Sequence, residues 1–80
     1  MKIHLLAFGI AKDILRAKNV SYELKEGNNI ATLKSALTSD HPQFRLLSSI
    51  SFAVNEEYVS DDYILQEGDE VVLIPPVSGG

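Results

Sequence analysis

The stretch Glu70-Val71-Val72-Leu73-Ile74-Pro75-Pro76-Val77-Ser78-Gly79-Gly80 decides how the rest of the chain is read. Its first part is an unbroken apolar run behind one charge, the pattern of a strand buried on both faces and so set in the middle of a sheet. Two prolines follow, which hold the backbone extended and cannot continue a hydrogen-bonded ladder. The compact domain is therefore expected to span residues 1–74 and an extended tail residues 75–80. Drawn out, such a tail reaches about 20 Å. It ends in two residues without side chains, narrow enough to thread a tight channel in another protein, and it offers one reactive group there, the carboxylate of Gly80. A glycine-rich end is also what a disordered tail or an expression scar looks like. The prolines argue against a scar, because a stiff lead-in directly after a strand points the tail in a defined direction.

Upstream of this strand, Gln66-Glu67-Gly68-Asp69 is turn chemistry, with Gly68 supplying the positive φ that the entry into the strand requires. Ile50, Phe52 and Val54 alternate with Ser51 and Ala53 as another strand, which Asn55-Glu56-Glu57 reverses into Tyr58-Val59. Asp61-Asp62 marks a further turn. Before them, Asn29 can cap a helix whose inward residues are Ile30, Leu33 and Leu37, with Lys34 and Ser35 toward water. Pro42 disfavours helical geometry at His41 and stops it. Phe44, Leu46 and Leu47 fall in a connector expected to pack beneath the helix.

At the front of the chain, Ile3, Leu5 and Ala7 alternate with His4, Leu6 and Phe8, a strand with one apolar face and one only partly polar. Gly9 ends it, and Ile10, Ile14 and Ala17 suggest one or two helical turns. Val20, Tyr22 and Leu24 then alternate with Ser21, Glu23 and Lys25 as a second strand, leaving through Glu26-Gly27-Asn28-Asn29. Two strands, a main helix and three more strands, the last one central, make an α+β chain of the β-grasp, ubiquitin-like type. Its mixed sheet of about five strands packs on one main helix, and a flexible C-terminal Gly-Gly tail follows.

Eighty residues make one small domain, and 45% apolar with 22% charged residues is an ordinary globular composition. The chain has no cysteine, which excludes disulfides, thiolate metal sites and cysteine nucleophiles of its own. A net charge of −4 without a basic run argues against nucleic acid and anionic membranes as partners. The apolar stretch at the N-terminus is too short for a signal peptide or a spanning helix, so a cytoplasmic location is expected.

The segments Val54-Asn55-Glu56-Glu57-Tyr58-Val59, Leu65-Gln66-Glu67-Gly68-Asp69-Glu70-Val71 and Ile74-Pro75-Pro76-Val77-Ser78-Gly79-Gly80 resemble the small, sulfur-carrying subunits of molybdopterin synthases. Phe8-Gly9-Ile10-Ala11-Lys12-Asp13 is similar to that family's first strand and turn, although an Arg-Glu pair is commoner there than Lys12-Asp13. The middle of the chain matches only in pattern. The resemblance implies that an adenylyltransferase of the ubiquitin-activating type would use ATP to adenylate Gly80, and that sulfur would then replace AMP to leave a thiocarboxylate. That sulfur is a better nucleophile than a carboxylate oxygen. It would be donated to cyclic pyranopterin monophosphate inside a large subunit, commonly in a two-plus-two heterotetramer. The catalytic pocket would belong to the large subunit, and no cofactor would be bound by this chain.

By the same resemblance Phe8, Tyr58 and Ile74 would meet the partner on the sheet, with Pro75, Pro76, Val77, Ser78 and Gly79 leading Gly80 into it. Phe8 and Ile74 would equally suit a core. His4 and His41 lack neighbours at metal-ligand spacing, and read as ordinary histidines. Glu56, Glu57, Asp61, Asp62, Glu67, Asp69 and Glu70 read as solvated turn charge, and Lys12 as an exposed lysine near the patch. Three other functions use the same features: a carrier for thiamine biosynthesis, a ubiquitin-like modifier conjugated through Gly80, and an interaction module with an inert tail.

Overall fold

A computed structural model of the chain describes residues 1–46 and 50–75. The strands are β1 (Lys2–Ala7), β2 (Asn19–Glu23), β3 (Ser51–Val54), β4 (Glu57–Tyr58) and β5 (Glu70–Ile74). The helices are α1 (Gly9–Leu15) and α2 (Ile30–Asp40), and a 3-10 helix covers Pro42–Leu46. The sheet order is β2-β1-β5-β3-β4, with β5 parallel to β1 and antiparallel to β3. The last strand is central, as its apolar run predicts, and the whole is a β-grasp.

One face of the sheet makes the core. Ile3, Leu5 and Ala7 of β1, Val71 and Leu73 of β5, and Phe52 and Val54 of β3 are buried against Ile30, Leu33 and Leu37 of α2. Each large side chain of this set contributes about 1.5–3 kcal/mol by leaving water. The helix starts where the Asn29 side-chain oxygen accepts from the Thr32 amide at 2.9 Å, and ends where the His41 amide donates to the Leu37 carbonyl at 2.7 Å, just before Pro42. Phe44 is buried beneath it and Leu47 lies outside the described residues.

Four expectations are corrected. The Ile10, Ile14 and Ala17 spacing misplaces the phase of α1: the helix begins at Gly9, so Ala11 turns inward and Ile10 is 49% exposed. Arg16 stops it in the left-handed conformation at φ 59°, leaving Ala17 outside. Lys34 does not simply face water, since its Nζ is 2.7 Å from Asp61 Oδ1 and 5.7 Å from the Phe52 ring centroid. Asp69 is buried rather than solvated: it accepts from the Gln66 amide at 2.9 Å and from Asn55 Nδ2 at 3.2 Å. Asn55 in turn accepts from the Glu70 amide, which ties the β3–β4 turn to the start of β5. Finally, β5 is buried on one face only, with Val72 and Ile74 half-exposed on the other.

The two-residue β3–β4 turn, Asn55 and Glu56, has positive φ at both positions (49° and 75°), the conformation that matches the twist of a tight hairpin. Gly68 has φ +82° and its amide donates to the Lys2 carbonyl at 2.8 Å, bringing β5 in beside β1.

Tyr22 of β2 donates its hydroxyl to Asp40 Oδ2 at 2.6 Å, fastening the end of α2 to the sheet. Burial, then the hydrogen bond to Asp40 and its negative charge, push the phenol up from 10.0 to about 12. The unfolded chain therefore loses this proton first as pH rises. The contribution to stability is complete below pH 10.0 and is lost as pH climbs through about 12. Urea midpoints of the native protein are expected to fall across that window relative to Tyr22→Phe, and parallel curves for the two proteins would refute this.

Candidate partner-binding face and tail

The second face of the sheet is not covered by any described element, and its residues follow from the strand register. Leu6 of β1 pairs with Val72 of β5, Val72 with Ala53 of β3, and Ala53 with Tyr58 of β4. Side chains two apart share a face, so Phe8 follows Leu6 and Ile74 follows Val72, each one residue beyond the last parallel pair, Ala7 with Leu73. The result is an apolar band across four strands. Phe8 is 43% exposed and Tyr58 73%, while Leu6, Val72 and Ile74 are half-buried. Ala53, between Val72 and Tyr58, is buried at 7%, and apolar patches of this kind commonly mark protein interaction sites.

The tail leaves from the edge of this band. Pro75, the last residue described, is half-buried beside Gly9, where an added Cβ would stand 3.4 Å from Pro75 Cγ. Gly9 has φ +56° and opens α1, so a residue without a side chain lets the helix start close against the base of the tail. Lys18 Nζ lies 5.5 Å from the Phe8 ring centroid, a cation over the aromatic face at the same end of the sheet.

Of the residues predicted for the site, the structure sets Phe8, Ile74 and Pro75 at the same end of the β1–β5 pair, and Tyr58 across Ala53 from Val72. Phe8 and Ile74 are therefore not core. Pro76, Val77, Ser78, Gly79 and Gly80 lie outside the described residues. Leu6, Val72 and Ala53 join the face without having been predicted. Their signal was the period of two that runs back from Phe8 and from Ile74. His4 is exposed at the polar end of the face, opposite Ser21 and Glu70, and His41 meets Phe44 edge-on at 6.1 Å. Among the described residues no group of three His, Cys, Asp or Glu side chains is placed to hold a metal ion, and no helix is long and apolar enough to cross a membrane.

The sequence profile of the ThiS family matches residues 5–80, the strands, both helices and the tail together. The chain belongs to the ThiS family. Among its ThiS-like relatives, the molybdopterin synthase sulfur carrier subunit of Chlamydomonas reinhardtii is 34% identical over 100% of both chains. A solved structure of a putative molybdopterin converting factor subunit 1 from Pyrococcus furiosus superposes with a TM-score of 0.88 at 27% identity, covering 96% of this chain and 99% of that one. Subunit 1 in a complex of subunits 1 and 2 of the molybdopterin-converting factor from Helicobacter pylori is also similar, with a TM-score of 0.70 at 25% identity over 100% of each chain. These neighbours agree with the β-grasp fold.

Proposed function

We propose that this chain is the sulfur carrier and small subunit of a molybdopterin synthase, acting in the cytoplasm with a large subunit that holds the catalytic pocket. The end-to-end similarity to a chain named as such a carrier subunit supports the reading most strongly. The open apolar band ending at the base of the tail supports it physically, because a donor subunit needs a docking face next to the arm it inserts.

Activation would begin with an adenylyltransferase of the ubiquitin-activating type. The Gly80 carboxylate attacks the α-phosphorus of ATP and pyrophosphate leaves. The terminal sulfur of a donor's persulfide then attacks the acyl carbon, AMP departs and an acyl disulfide to the donor forms; a second thiol attacks the donor's sulfur, forming a disulfide with it and releasing the thiocarboxylate. In the large subunit the thiocarboxylate sulfur attacks cyclic pyranopterin monophosphate, water then cleaves the acyl–sulfur bond and returns Gly80 to its carboxylate, and two such deliveries complete the dithiolene. Glycine at positions 79 and 80 leaves the approach to the acyl carbon unhindered.

Intact mass spectrometry of the protein purified from its own cells is the test. A fraction of molecules with one oxygen replaced by sulfur at the C-terminus is expected. Conjugates of larger mass would identify a protein modifier instead. An unmodified chain from cells actively making molybdenum cofactor would refute the carrier reading.

A further inference from the structure

The charges of the domain are unevenly distributed along the strand axis. At the end where the tail leaves stand Lys12 on α1, Arg16 at its left-handed stop, and Lys18, whose carbonyl accepts from the Ala7 amide at 2.8 Å. All three side chains are exposed, and Asp13 is the acid among them. The opposite end carries Glu23 closing β2 and Glu26 beyond it, Glu56 in the β3–β4 turn and Glu57 opening β4, and Glu67 and Glu70 around the entry to β5, with Lys2 and Lys25 the bases among them. A chain of net charge −4 thus presents a positive collar around the base of its tail.

We propose that Lys12, Arg16 and Lys18 form a docking collar for an acidic rim around the channel mouth of the second subunit. The inference rests on the sulfur-carrier reading above and names the chemistry of that partner's surface. Distance decides what the collar meets. Fully drawn out, the residues beyond Pro75 would carry Gly80 about 17 Å from the base, and a tail inserted that way would set the reacting end well away from these cations. On this reading they would face whatever surrounds the point where the tail goes in. The collar is continuous with the apolar band through Lys18 and Phe8. The acidic far end would be repelled by the same rim, so the field turns the domain tail-first before contact.

Binding of the full chain to the second subunit, followed kinetically at about 50 and about 500 mM salt, tests this. Lys12→Glu/Arg16→Glu/Lys18→Glu is expected to weaken binding by about 30-fold at low salt, mostly through slower association, with the deficit shrinking below about threefold at high salt. Lys12→Gln/Arg16→Gln/Lys18→Gln should fall between this variant and wild type, and reports on the collar if charge reversal harms the fold. Lys2→Glu/Lys25→Glu, at the far end, should change affinity by less than about twofold. Wild-type affinity in the collar variants, or a deficit that ignores salt, would overturn the collar. Single-turnover sulfur transfer by wild-type thiocarboxylate at saturating second subunit separates the two readings. Transfer without any collar effect refutes the collar alone, whereas a wild-type chain that neither binds nor transfers refutes both.

Discussion

Deleting Gly80, or adding one residue after it, is expected to lower single-turnover sulfur transfer by a factor of about 1,000 or more while leaving the urea midpoint unchanged. One residue moves the acyl carbon by about 3.3–3.6 Å, and reacting groups misplaced by even 1 Å lose on the order of 100-fold in rate. The tail follows the prolines, after the last strand residue Ile74, so its length bears on chemistry and not on the core formed by Ile3, Leu5, Val71 and Leu73. Gly80→Ala keeps the length but adds a methyl beside the carbonyl, and is expected to slow adenylation more than it weakens binding. A chain lacking Gly80 that still yields product would remove the tail from the mechanism.

Phe8→Ala is expected to weaken binding to the second subunit by about 30-fold, the effect of removing one aromatic anchor worth about 2 kcal/mol. The ring is 43% exposed at the edge of the apolar band, so its loss costs the isolated domain little. Ile64 provides the contrast. It is 52% exposed but lies opposite Asn29 in an isolated bridge, away from the band, and Ile64→Ala should leave affinity within about twofold of wild type. Equal affinities for the Phe8→Ala variant and the native chain, measured by calorimetry, would show that the open face is not the docking surface.

Much of this architecture was readable before any coordinates. Asn29, the Ile30, Leu33 and Leu37 spacing, and Pro42 define α2 at both ends, because capping and periodicity act over a few residues. The unbroken Val71–Ile74 run placed β5 in the centre, although it suggested cover on both faces where the structure has it on one. The phase of α1 was misread because three isoleucine and alanine positions fit more than one register in so short a segment. Asp69 was taken for solvated charge because nothing near it in sequence reveals that Asn55 arrives from fourteen residues away.

Local chemistry in the chain determined the elements and where they stop, since caps, turns and prolines depend on neighbours in sequence. Only the tertiary structure decided which apolar residues share the second face of the sheet. Leu6, Val72, Ala53 and Tyr58 become one band, and Lys12, Arg16 and Lys18 one collar, through strand pairing between segments distant along the chain. An alternating pattern marks the two faces of a strand, but it is the packing of α2 on one of them that leaves the other open.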